Sequence, residues 1–367
     1  MPKVTGLEGV VAAETDISLV DGEKGWLIYR GHWAKDLAVQ RGFEEVAFLL
    51  WYGKLPDDSE LGRLNERLRA GRVMPASVRA LIDAMPAELP MMKVLQSAVA
   101  ALPGGEAADW PPSPEQAERL TALVPTIVAY RHRTRQGLDP VEPHPELDHA
   151  ANYLYMLKGS LPNEAHAKAL TAYLILGMEH GMNASTFSAR VTLSTQSDLF
   201  AAVSSAIGTM KGPLHGGAPS EVIAMLEEIG TPDNAEPRMR AVLESGGRLM
   251  GFGHRIYKTK DPRAEALRIV TETLAGDTDS FELALHAERT AIRLLEAYKP
   301  GRRLYTNVEF FAAAILTAVE LPAELFTPTF TAARTVGWTA HCLEQAGINR
   351  IFRPQSAYTG PMPDAGT

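Results

Sequence analysis

Cysteine is almost absent: Cys342 is the single one among 367 residues, so the chain can close no internal disulfide and build no cysteine metal cluster. That scarcity suits a reducing compartment and gives a cytoplasmic expectation, with Cys342 assigned to core or interface packing. Long apolar runs are missing too. The longest uncharged stretch, Phe310–Val319, spans about ten residues, half of what a membrane-spanning helix needs. Residues Met1–Gly9 show no basic segment followed by an apolar run, so no export signal is expected. Positive charge is in deficit, with 36 Lys and Arg against 44 Asp and Glu and a net charge of −8. This argues against nucleic-acid or anionic-membrane partners, whose affinity comes from phosphate neutralisation. Small anionic substrates remain open, because a few arginines in one cleft reverse the local field.

What is present is an ordinary globular composition, 46% apolar and 22% charged, long enough for two domains or one large one. No fixed-period repeat or low-complexity tract appears. Ile17–Val20 and Trp26–Tyr29 flank Asp21-Gly22-Glu23-Lys24-Gly25 and predict a small hairpin. Helical signals dominate the rest. Ser59 is placed to cap a helix with Leu61, Leu64 and Leu68 on one face and Gly71 as its stop. Ser113-Pro114-Glu115-Gln116 is a capping box with proline at the first helical position, ahead of a helix that Pro125 should kink. Pro103–Pro114 reads as an ordered surface loop. Further helices are predicted over Asn163–His180, Ser197–Met210, Ser220–Glu228, Phe281–Tyr298, Thr306–Val319 and Pro328–Gln345. The fold class is mainly α with a minor β element.

Two glycine-rich breaks, Gly212-Pro-Leu-His215-Gly-Gly217 and Gly251-Phe-Gly253-His254, each place a histidine in a backbone that can bend sharply and approach a ligand. Read alone, such histidines are more often structural, and Gly251-Phe-Gly253 lacks the third glycine of a dinucleotide fingerprint. A metal site is not expected. The chain has no His-Glu-x-x-His, and the adjacent pair Glu179-His180 would point in different directions on a helix. Thr306-Asn307-Val308-Glu309 fits a capping box, which makes a helix cap the plain reading of Glu309. Arg334 sits in apolar surroundings, so its charge needs a partner: a structural carboxylate, or a substrate's. Lys258, Lys260 and Arg263 around Asp261-Pro262 are equally ambiguous, since short basic runs are usually solvated.

Taken together, and in order, Glu179-His180-Gly-Met-Asn183-Ala-Ser-Thr186, Gly212-Pro-Leu-His215-Gly-Gly, Gly253-His254-x3-Lys258-x2-Asp261-Pro-Arg263, Asn307-Val-Glu309-Phe, Ala333-Arg334-Thr-Val-Gly-Trp338 and Arg353-Pro354 resemble the citrate synthase family. The likeness runs from about Gly6 to Gly360 and fits the short bacterial branch. It implies condensation of oxaloacetate with acetyl-CoA and hydrolysis of the citryl thioester, with no permanent cofactor and no metal. Glu309 would be the base, His215 the donor to the thioester oxygen, and His254 the acid at the oxaloacetate ketone. Arg263, Arg334 and, from a partner subunit, Arg353 would hold carboxylates, a task suited to the planar guanidinium. His180 would add a hydrogen bond supported by Asn183, and Lys258 would lie near the CoA phosphates.

The resemblance further implies a helical large domain, 1–216 plus 321–367, interrupted by a small domain, 217–320, and a homodimer. Most members carry Asp where this chain has Glu309, one methylene longer. Since misplacement by about 1 Å can slow a reaction on the order of a hundredfold, a slow enzyme or an enlarged acyl site is expected. Pro219 replaces a common Asn; Glu309 and Pro219 together resemble a minor bacterial subgroup. The N-terminal hairpin offers no recognisable CoA contact. Two rival readings are a 2-methylcitrate synthase using propionyl-CoA and a catalytically silent CoA-binding homologue.

Overall fold

The computed structural model of the chain describes residues 6–7, 9–102, 110–215, 220–253, 256–274 and 279–363. A three-stranded antiparallel sheet opens it, β1 (Ser18–Asp21), β2 (Trp26–Tyr29) and β3 (His32–Trp33), with Ser18 opposite Tyr29 and Asp21 opposite Trp26. The predicted hairpin is therefore present, with a short third strand added. Helices follow: α1 (Ala34–Gln40), α2 (Phe43–Tyr52), α3 (Asp58–Gly71), α4 (Ala76–Asp83), α5 (Met91–Ala100), α6 (Pro114–Arg135), α7 (His149–Lys158) and α8 (Glu164–Met178). The chain continues through α9 (Ala184–Ser194), α10 (Leu199–Met210), α11 (Ser220–Ile229), α12 (Pro232–Glu244), α13 (Pro262–Leu274), α14 (Asp279–Tyr298), α15 (Val308–Ala318) and α16 (Phe326–Gly347).

Helix starts follow their caps. Ser113 and Gln116 form the expected capping box of α6, and Pro125 lies inside that helix. Asp57, not Ser59, caps α3: its carboxylate accepts from Glu60 N at 2.8 Å, and Glu60 returns to Asp57 N. A charged acceptor two residues upstream outcompetes the serine hydroxyl. Likewise Asp198 caps α10, which starts at Leu199.

Helix α16 is the axis of the larger packing unit, lying against α2, α5, α6, α8, α9 and α10. Its Trp338 is fully buried. It comes close to α8 because of Gly337, where an added Cβ would lie 2.2 Å from Met178 O. Helices α11 to α15 pack on one another, and α13 and α15 also rest on α8. His180, His215 and Lys258 stand on loops, Glu309 in the first turn of α15, and Arg334 inside α16. The hairpin clamps two of these loops. Val20 packs on Gly181, Lys258 N donates to Gly22 O at 2.9 Å, and a Cβ at Gly22 would strike Ile256 O at 2.3 Å. Cys342 is buried and its thiol is pushed up to about 12 by that burial, as a packing residue requires. No helix of the described residues is long and apolar enough to cross a membrane.

Candidate active site

The C-terminal end of α8 builds the first wall. Met178 closes the helix, Glu179 is extended, and Gly181 turns with φ +63°. His180 projects from this turn, its Nε2 3.0 Å from the Tyr257 hydroxyl. The Tyr257 ring in turn packs under the Arg263 guanidinium, 5.7 Å from its centroid. Asn183 caps α9: its Oδ1 accepts from Thr186 N at 3.1 Å, and its Nδ2 donates to Gly181 O at 3.1 Å. It thus ties the His180 turn to the start of α9 through the backbone.

Arg263 is buried and paired with Asp261, whose Oδ1 accepts from Arg263 N and Nε and whose Oδ2 accepts from Nη2 at 2.9 Å. The same Oδ2 accepts from Val308 N at 3.2 Å, so one carboxylate ties Arg263 to the first turn of α15. Lys258 and Lys260 are exposed, so the basic run splits into two solvated lysines and one buried arginine.

Glu309 stands in that first turn. Its backbone N–H donates to Asn307 Oδ1 at 3.0 Å, and Asn307 is the cap. Thr306, expected as the cap, instead donates its hydroxyl to the buried Glu288 at 2.8 Å. The Glu309 carboxyl is therefore not spent on a Thr306 capping box. Water reaches it, yet the protein walls around it thin its hydration and raise its pKa, with Arg263 opposing. A raised carboxylate at a helix N-terminus is suited to act as a base near neutral pH.

His215 follows α10. Its Nε2 lies 2.7 Å from Ser185 Oγ, which also receives Trp338 Nε1–H at 3.0 Å and donates to Asn183 Oδ1 at 2.8 Å. Burial, then the Arg334 charge, lowers the His215 pKa to about 4, so the ring is neutral near pH 7. Ser185 has one proton for two claimants. Given to Asn183, it leaves the ring proton on Nε2; given to His215, it moves the ring proton to Nδ1.

Arg334 is 2% exposed, and among the described residues it forms no ion pair. Its Nε donates to Gly177 O at 2.7 Å, and its guanidinium lies 4.8 Å from the Phe330 ring. Burial lowers its pKa, with Glu179 partly offsetting the effect. The structural carboxylate that a buried arginine ordinarily needs is thus not in contact with it. Arg353 lies on the exposed segment after α16, beside Leu7, Val10 and Phe187, and no side-chain hydrogen bond or ion pair holds it among the described residues. His254 and Pro219 lie outside the described residues.

Sequence reasoning missed Tyr257, Ser185, Asp261 and Trp338 as working parts, although each stands inside a quoted motif. Tyrosine, serine and tryptophan are common core residues, and only their partners mark them.

A neutral His215 and a raised Glu309 near helix ends, with a buried Arg334 inside α16 that forms no ion pair among the described residues, are the kinds of group an acid–base enzyme uses. Comparison with known proteins assigns the family. The description "Citrate synthase, C-terminal domain" matches residues 6–355. A citrate synthase of Synechocystis sp. is 43% identical over 97% of this chain and 90% of its own length. A 2-methylcitrate synthase of Mycobacterium tuberculosis is 40% identical over 97% and 90%. A citrate synthase of Thermoplasma acidophilum, solved as a ternary complex with carboxymethyl coenzyme A and oxaloacetate, superposes with TM-score 0.84 at 29% identity, covering 99% of this chain and 97% of that one. The chain belongs to the citrate synthase family and is an acyltransferase of the citrate synthase type.

Proposed function

We propose that the chain condenses acetyl-CoA with oxaloacetate in the loops between its two groups of helices, with the roles divided as follows. Arg334 carries the reading: a buried cation with Glu179 nearby but no ion-pair contact among the described residues is suited to take a ligand carboxylate. Arg263, oriented by Asp261, binds the same dicarboxylate, and His180 adds a hydrogen bond. Arg353 of a second copy completes the clamp in a homodimer. Within one chain it sits on the exposed C-terminal segment, which is compatible with reaching across an interface.

Glu309 removes a proton from the acyl-CoA methyl group. His215 donates to the thioester oxygen as the enol or enolate forms, which calls for the Ser185 rotor state that places the ring proton on Nδ1. The nucleophilic carbon attacks the oxaloacetate ketone, whose oxygen takes a proton from His254, and water then cleaves the thioester to release CoA. Lys258, exposed beside the hairpin, is placed near the CoA phosphates. Residues 217–320 act as a small domain that closes over the larger one, 1–216 plus 321–367, and expels water. The mutual packing of α11 to α15 supports that division.

Propionyl-CoA is the alternative acyl donor, favoured by the mycobacterial relative's name and by the longer Glu309 base. A methylene changes selectivity by about 1–3 kcal/mol, so both substrates should react. The deciding experiment mixes pure protein with oxaloacetate and either acyl-CoA and follows free thiol. Release with acetyl-CoA supports the main reading, a strong propionyl preference replaces it with the alternative, and no release with either refutes both.

A further inference from the structure

Glu344, Arg190, His341 and Glu179 form a continuous line of contacts from the N-terminal segment to the His180 turn, and none of the four takes part in the chemistry above. Arg190 is wholly buried on α9. Its Nε and Nη2 donate to His341 Nδ1 at 3.0 and 2.8 Å, and its Nη1 donates to Gln345 Oε1 at 3.0 Å. Nη2 also pairs with Glu344 Oε2, whose other oxygen accepts from Thr15 Oγ1 and Asp16 N. On the far side of the imidazole, His341 Nε2 stands 3.2 Å from Glu179 Oε1, in charge contact with it though not aligned as a hydrogen bond. That oxygen also accepts from Ser18 Oγ at 2.9 Å and from Gly181 N, the amide next to His180.

The chemistry of the two neighbours fixes the middle residue. Arginine only donates and carboxylate only accepts, so a side chain between them must accept on one edge and donate on the other. A neutral imidazole that accepts from Arg190 at Nδ1 carries its proton on Nε2, the edge that faces the Glu179 carboxylate. The carboxyl of Glu179 is held below its usual range: burial opposes ionisation, but His341, Arg334 and Ser18 outweigh it. The same helix face presents Arg334, Trp338, His341 and Gln345 at positions i, i+4, i+7 and i+11, so a single stripe of α16 touches every part of the network.

We propose that His341, as the Nε2–H tautomer, is a positioning residue for the dicarboxylate substrate: it fixes Glu179, which seats the Gly181 turn under His180 and supplies the negative field beside Arg334. The inference rests on the oxaloacetate reading of that site.

The test compares wild type with His341→Gln, which keeps a donor at the reach of Nε2, and His341→Asn, which keeps only the acceptor toward Arg190. Oxaloacetate binding is measured by calorimetry and acyl-CoA KM by thiol release. The expected result is about tenfold or more weaker oxaloacetate binding in His341→Asn, rescue in His341→Gln, and an unchanged acyl-CoA KM. Equal oxaloacetate binding in all three proteins overturns the inference while leaving the function standing; wild type that binds no oxaloacetate overturns the function instead. Should the asparagine variant not fold, 15N spectra of histidine-labelled wild type, with His341 assigned by its loss in His341→Gln, decide the matter. A bare Nδ1 and protonated Nε2 are expected, and the opposite tautomer refutes the proposal.

Discussion

Replacing Arg334 by methionine removes a buried guanidinium whose hydrogen bond among the described residues is the one to Gly177 O. The depressed pKa means that burial disfavours the charged form more than Glu179 favours it, so the ionised side chain destabilises the empty fold. Exchanging a whole buried ion pair for apolar groups of like volume typically stabilises by about 1–4 kcal/mol, an upper bound here because Glu179 loses the Arg334 charge that helps to keep it ionised. Losing the Gly177 hydrogen bond takes back roughly 1 kcal/mol. With an unfolding entropy of about 2.1 cal/mol/K per residue, the net effect for a chain of this length is a Tm unchanged or higher by up to roughly 4 °C. Ligand binding moves the other way, because oxaloacetate loses a desolvated cation worth about 3–5 kcal/mol, on the order of a hundred- to several-thousand-fold in Kd. Differential scanning calorimetry at fixed protein concentration and titration with oxaloacetate measure the two arms. A fall in Tm of several degrees with oxaloacetate affinity retained would show that Arg334 is structural and would refute the argument.

Four further outcomes follow from the same geometry. Glu309→Gln should lower kcat by about 10²–10⁴-fold in the thiol assay, whereas Glu309→Asp should match or exceed wild type; normal turnover in the glutamine variant removes Glu309 as the base. Because the folded His215 pKa lies near 4, below the unfolded value of about 6.5, its contribution to stability is complete above the unfolded value and is lost as pH falls toward 4. The wild-type Tm should therefore drop between pH 7 and pH 5 more than that of His215→Gln; parallel curves would contradict the depressed pKa. Ser185→Ala should lower kcat by roughly tenfold or more with little change in oxaloacetate affinity, since it removes the selector of the His215 tautomer. Arg334→Met and Arg353→Ala subunits, each inactive alone, should regain roughly a quarter of wild-type activity when mixed and reassembled, because every hybrid dimer has one intact site; no recovery in verified hybrids would place Arg353 outside the partner's site.

The legible helices were those with a strong cap or a clear stripe. Ser113 to Gln116 announced α6, and Asn307 to Glu309 announced α15 to within a residue of its cap. Helices α2 and α9 escaped for opposite reasons. Phe43–Tyr52 is buried nearly all round and shows no polar face, while Ala184–Ser194 is rich in serine and threonine yet has its Ser185, Thr186 and Arg190 buried. Periodicity requires one wet face, and neither helix has a clear one.

By itself the sequence determined the mainly helical fold class, which follows from caps and apolar periodicity. The candidate residues for work on a dicarboxylate came from the ordered motifs only through their resemblance to the citrate synthase family. Whether Arg334 has a carboxylate partner was left open by the sequence, and the tertiary structure brings none into ion-pair contact among the described residues. It also turns Thr306 away from its cap toward Glu288, while the placing of His341 between Arg190 and Glu179 has no local signal at all. In each case the deciding group lies at least 18 residues away along the chain, and buried polar atoms take the partner that is nearest in space.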